Sequence, residues 1–152
     1  MKILVDADAC PVKELIVRCA GKHHVPVVMV ADAAHVFSHT EPFVSVVTVD
    51  KGADSADLAL ANRTQAGDIT VTADYGLASL LLAKKAFVLH PNGFAFTLEN
   101  IDRMLFERHL SAEMRRQKRS RGSHIKKRTK EEDEKFLSLL EKTLEQAEKK
   151  NP

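Results

Sequence analysis

The hydrophobic residues of this chain arrive in short runs, separated by stretches with helical spacing. Ile3-Leu4-Val5, Val27-Val28-Met29-Val30, Val46-Val47, Ile69 to Val71 and Phe87-Val88-Leu89 belong to runs of strand length. They predict strands over 2–5, 26–30, 44–49, 69–72 and 86–89. Val12, Leu15, Ile16, Cys19 and Ala20 recur at intervals of three and four, which predicts a helix over 11–22 with Pro11 at its first position. Helices are also expected over 53–64 and 75–84, while residues 31–43 show no periodicity. His90-Pro91-Asn92-Gly93 has the composition of a turn. Strands alternating with helices predict an α/β fold whose sheet is parallel, of about five strands, with right-handed crossovers.

The pattern changes near Thr97. Leu98, Ile101, Met104 and Leu105 predict a helix, and Phe136, Leu137, Leu140, Leu144 and Ala147 stripe a final one. Thr129 and Glu132 stand at capping-box spacing just before that last helix. The expected organisation is an α/β core over 1–96 and C-terminal helices over 97–152, with a basic segment at 115–130.

Charge sharpens this picture. Residues 1–102 carry 8 Lys/Arg against 12 Asp/Glu, and residues 103–152 carry 15 against 9. The whole of the later excess comes from 115–130, which holds nine Lys/Arg and no acid. Mixed signs serve solubility better than such a run, so a phosphate backbone is its natural partner, with a solvated tail as the plainer alternative. Arg115, Arg116, Arg119, Lys126, Lys127 and Arg128 are the candidate phosphate contacts.

The acids are placed as pointedly. The first strand runs into Asp6 and Asp8, the third into Asp50 with Asp54 and Asp57 behind it, and the fourth into Asp74. Carboxylates released at strand ends gather on the carboxyl edge of a parallel sheet, where open α/β sheets bind ligands. Two such charges ~4 Å apart repel by about 4 kcal/mol at an effective dielectric near 20. A cluster therefore calls for a cation, and an all-oxygen site suits Mg²⁺ or Mn²⁺. Four of these acids also have a simpler use: Asp8 and Asp74 at helix N-caps, Asp57 against a helix dipole, Asp50 in a surface turn.

Other chemistry finds little support. Cys10 and Cys19 lie roughly 13 Å apart on a helix, too far for a disulfide, and fit a reducing cytoplasm. Residues 1–8 lack the layout of a signal peptide, and no apolar run reaches membrane length. His23, His24, His35 and His39 lack the partners of a zinc motif, and no phosphate-binding glycine loop follows a strand. Asp6-Ala7-Asp8 is similar to the nucleophile loop of aspartyl-phosphate phosphatases, but Cys10 replaces the Thr or Val usual there.

Three segments carry a more specific resemblance: Val5-Asp6-Ala7-Asp8-Ala9-Cys10-Pro11, Lys51-Gly52-Ala53-Asp54-Ser55-Ala56-Asp57 and Thr72-Ala73-Asp74-Tyr75-Gly76-Leu77-Ala78. Together they resemble the bacterial YaiI/YqxD family over nearly the whole chain. The resemblance implies a three-layer PIN-like fold, related to the NYN nucleases. It implies metal-dependent cleavage of RNA, or of DNA, with Asp6, Asp54 and Asp74 as the catalytic acids. Many of those nucleases carry a further acid where this chain has Gly76, and Asp8 or Asp57 is the candidate to replace it. The expected metal set is thus Asp6, Asp8, Asp54, Asp57 and Asp74, holding Mg²⁺ or Mn²⁺. The rival expectation is a catalytically degenerate module that binds nucleic acid or protein.

Overall fold

The computed structural model describes residues 1–32, 41–50, 55–117 and 127–150. Strands β1 (Ile3–Asp6), β2 (Val27–Asp32), β3 (Val44–Val49), β4 (Ile69–Val71), β5 (Phe87–His90) and β6 (Phe94–Phe96) form one sheet in the order β3-β2-β1-β4-β5-β6. The first five are parallel, and β6 runs antiparallel to β5. The helices are α1 (Lys13–His23), α2 (Ser55–Arg63), α3 (Tyr75–Ala83), α4 (Ile101–Gln117) and α5 (Lys130–Lys150), with a 3₁₀ turn at Ala7–Ala9.

Alternation along the strands sorts the core into two layers. Ile3, Val5, Met29, Ile69 and Val71 face α1 and α5, whose Ile16, Cys19, Phe136, Leu140 and Leu144 close that side. Leu4, Val30 and Val88 face the other way, onto Leu60 of α2, Leu77 and Leu81 of α3 and Ile101 of α4. Helices on both faces of a mostly parallel sheet make a three-layer α/β fold. Central strands buried on both faces are mostly apolar, which is why they stand out as near-continuous runs. Among the described residues no helix is long and apolar enough to cross a membrane.

The last helix belongs to this core. Phe136, Leu140 and Leu144 are completely buried, and each such side chain contributes about 1.5–3 kcal/mol by leaving water. The capping box forms as its spacing predicts: Glu132 N–H donates to Thr129 Oγ1 at 3.2 Å, and Thr129 N–H to Glu132 Oε1 at 3.3 Å. His23, at the end of α1, lies 3.5 Å from Glu148 of α5.

Several elements differ from expectation. The sheet has a sixth strand: Phe94–Phe96 is too short a run to stand out, and the 90–93 turn folds it back onto β5. Gly93 sits in that turn at φ +95, where an added Cβ would meet Lys135 Cγ at 2.8 Å and the Phe136 nitrogen at 3.0 Å. Helix α1 begins at Lys13 rather than Pro11, because the 3₁₀ turn intervenes, and its N-cap Val12 makes no side-chain bond. Asp8 therefore does not cap it. Leu98 lies outside α4 and is exposed, because Thr97 and Asn100 exchange hydrogen bonds (2.9 and 3.1 Å) that set the helix start after it. Of the stretch at 31–43 expected to be irregular, Ala31 and Asp32 extend β2, and 33–40 lies outside the described residues, as do positions 53 and 54 at the start of the expected 53–64 helix.

Candidate functional site

Strands β1 and β4 are neighbours in the sheet although far apart in sequence, and their crossovers lead away in opposite directions. This is the topological switch point, whose carboxyl edge forms a natural crevice. The register pairs Val5 with Val71, so the next residues, Asp6 and Thr72, emerge together. Thr72 Oγ1 donates to Asp6 Oδ2 at 3.0 Å, and the same hydroxyl accepts the Asp74 N–H at 3.0 Å. Thr72 is only 1% exposed, so this bridge is shielded from water. Asp74 then caps α3, its Oδ1 accepting the Leu77 N–H at 3.0 Å.

The structure thus brings Asp6 and Asp74 to one edge, beside Asp57 in the first turn of α2. Burial raises the Asp6 carboxyl above its ordinary value near 3.8; the Thr72 hydrogen bond opposes this, and the charges of Asp57, Asp74 and Asp8 add to the rise. Asp6 thus stands where the charges of three other acids converge. Asp8 points its carboxylate at β2, accepting the Asp32 N–H at 3.0 Å, and so ties the 3₁₀ turn to the end of the next strand. Asp54 lies outside the described residues. Among the described residues, no three His, Cys, Asp or Glu side chains are grouped as a ready-made metal site.

Burial pushes the Cys10 and Cys19 thiols up to about 11, so neither is a thiolate at neutral pH. His23 and His24 lie at the end of α1, where His24 serves as its left-handed C-cap, and His35 and His39 are outside the described residues.

The basic candidates divide. Arg128 is bound within the chain: Nη2 donates to Pro91 O at 2.6 Å and Nη1 to Asn92 Oδ1 at 3.2 Å, while Nε pairs with Asp133. It clasps the β5–β6 turn to the start of α5. Arg116 makes an exposed pair with Glu113 at 3.4 Å, Lys127 is exposed, and Arg119 and Lys126 lie outside the described residues. Arg115 lines a groove of roughly 640 Å³ between α4 and the ends of β4 and β5. Tyr75, His90, Phe94 and Arg108 line it too, and none of these four was a candidate site residue in the sequence. Tyr75 follows Asp74 directly, so that adjacency was the available signal; Arg108 has none.

Over residues 4–146 the chain matches the uncharacterised YaiI/YqxD family. A UPF0178 protein of Alkaliphilus oremlandii is 49% identical over 140 residues, covering 92% of this chain and 88% of that protein. One from Natranaerobius thermophilus is 47% identical over 146 residues, covering 96% and 97%. One from Ruminiclostridium cellulolyticum is 50% identical over 140 residues, covering 92% and 90%. No solved structure matches the chain.

Proposed function

The chain belongs to the YaiI/YqxD family, and we propose that it is a PIN-like, divalent-cation-dependent nuclease acting on RNA in preference to DNA. One observation carries this reading: the half-buried Asp6 carboxylate at the switch point, held by Thr72 and pressed by the charges of Asp57, Asp74 and Asp8. A hard cation relieves that field. The donors are all oxygen, which fits Mg²⁺ or Mn²⁺. Mg²⁺ keeps several waters and takes one or two carboxylates together with substrate phosphates, so it needs no closed cage of three side chains.

Asp6 and Asp74 would hold the ion with Asp54, while Asp57 and Asp8 act directly or through water. When bound, the ion supplies an activated water and neutralises charge developing on the phosphate. Thr72 keeps the Asp6 carboxylate oriented, and the α3 N-terminus behind Asp74 favours negative charge nearby. Arg115, Arg116, Arg119, Lys126 and Lys127 would meet the phosphate backbone. Arg128, bound within the chain, adds positive potential near the edge.

The test is cleavage of an end-labelled RNA with Mn²⁺, alongside a thermal-shift titration with Mn²⁺ alone. We expect Mn²⁺ to support cleavage and raise the melting temperature, and Asp6→Asn/Asp74→Asn to lose both effects. Cleavage that survives the double substitution overturns the reading. Gly76 and the lack of a three-carboxylate group among the described residues favour a second reading, a binding module without turnover. RNA binding with no Mn²⁺-dependent cleavage would establish that one.

A further inference from the structure

Beside the acidic edge lies the groove between α4 and the ends of β4 and β5. Its floor is aromatic. His90 stacks on Phe94 with ring centres 4.4 Å apart and planes 14° apart, and Tyr75 meets Phe96 edge-on at 5.3 Å. Its α4 wall is basic, with exposed Arg108 and Arg115, and the Arg108 guanidinium lies 5.2 Å from the centre of the Tyr75 ring. Glu107, the acid among the described lining residues, lies 3.8 Å from Arg103. The groove is therefore a slot of mixed polar and apolar lining, with an aromatic floor and cations along one rim, immediately next to Asp74.

We infer that this groove is a stacking platform for an unpaired base of a single-stranded nucleic acid whose backbone crosses the acidic edge. The inference rests on the nucleic-acid part of the function proposed above, and is independent of whether the strand is cut. A base has an apolar π-face that suits Phe94 and Tyr75, and a phosphate whose charge suits Arg108 and Arg115. Exchanging a guanidinium for a base over Tyr75 keeps a π contact on the ring and frees Arg108 for phosphate. Tyr75 and Asp74 are consecutive, so a base on the platform brings its own backbone to the carboxylates. Burial and the charge of Arg128 depress His90 to about 4, so its ring stays neutral and the floor apolar at physiological pH. A base paired inside a duplex presents only its edges and cannot lie flat here.

The chain offers its own reporter. Tyr75 is the only tyrosine and there is no tryptophan, so intrinsic emission comes from the groove itself. Labelled oligoadenylate RNA is titrated into the whole 152-residue chain with Ca²⁺ to neutralise the acidic edge. Anisotropy and tyrosine emission are followed together, and the strand is checked as intact afterwards. We expect quenching that tracks binding, and weaker binding without quenching for an abasic strand of equal length. Arg108→Ala should weaken binding of oligoadenylate. Phe94→Ala should weaken it by roughly 5- to 150-fold, the range for one stacked base. Arg63→Gln, at the far end of α2, should not. Should Phe94→Ala fail to fold, the abasic comparison and the exposed Arg108 still decide the matter. Equal affinity for the abasic strand with unchanged tyrosine emission overturns the platform and leaves nucleic-acid binding standing. No binding of any strand by the parent removes both.

Discussion

Thr72 donates its hydroxyl hydrogen to Asp6 across the seam between β4 and β1, at 3.0 Å, and accepts the Asp74 N–H with the same oxygen. One buried hydroxyl thereby sets the position of both acids. Replacing Thr72 with Val keeps the shape but leaves the Asp6 carboxylate and the Asp74 N–H without this partner. We expect a loss of about 1–3 kcal/mol in urea unfolding, with Thr72→Ser recovering most of it. The same substitution should weaken Mn²⁺ binding, read by calorimetry. A Val variant as stable as the parent would show that the bridge carries no net energy.

Asp6 gives a pH dependence whose sign is fixed. Its folded value is raised, so the folded state binds more protons than the unfolded chain just above the ordinary carboxyl value. Stability from this group is present at low pH and is lost as pH rises through the folded value. In metal-free buffer at neutral pH, Asp6→Asn should therefore melt higher than the parent, and Mn²⁺ should raise the parent more than the variant. Thermal scans with and without chelator check both. A lower melting point for Asp6→Asn would mean that the carboxylate is already neutralised by another partner.

Asp74 separates a helix-capping role from a charge role. Asn caps a helix about as well as Asp, whereas Ala does not. Asp74→Asn should unfold at the parent's urea concentration, and Asp74→Ala should lose about 0.5–2 kcal/mol. Both should lose any Mn²⁺ response. A Mn²⁺ response retained by Asp74→Asn would remove this residue from the metal set.

His90 runs opposite to Asp6. Its folded value, about 4, lies below the ordinary 6.5, so its contribution is complete above 6.5 and lost as pH falls toward 4. A shift of this kind corresponds to roughly 3 kcal/mol. Its ring resonances should stay at neutral positions through pH 5 when followed by NMR. Titration near 6.5 would place the ring in water.

Arg128 and Lys127 are adjacent in sequence and unlike in structure. Arg128→Ala removes the clasp on Pro91, Asn92 and Asp133 and should cost about 1–2 kcal/mol. Lys127→Ala should stay within about 0.5 kcal/mol, as exposed substitutions do. For RNA binding, Lys127→Glu is thus the clean charge reversal. It should flatten the dependence of log K on log salt by roughly 0.7, the slope for one phosphate contact in a single strand.

What the chain determined by itself is local. Runs such as Ile3-Leu4-Val5 and the Phe136, Leu140, Leu144 stripe state which residues must leave water, because burial follows a period of two or of 3.6. The Thr129 and Glu132 cap was legible for the same reason, since its partners are three residues apart. The strand-then-Asp pattern likewise marked Asp6 and Asp74, because strand direction puts every carboxyl end of a parallel sheet on one edge. The tertiary structure decided what depends on distant partners. Only the β1–β4 pairing sets Thr72 beside Asp6, across 66 positions. Only the docking of α5 turns Arg128 from a candidate phosphate contact into a clasp on the β5–β6 turn. Only the β5–β6 hairpin packed near α4 gathers Tyr75, His90, Phe94 and Arg108 into a groove. Periodicity records whether a side chain is buried, and it carries no information about which distant residue it meets there.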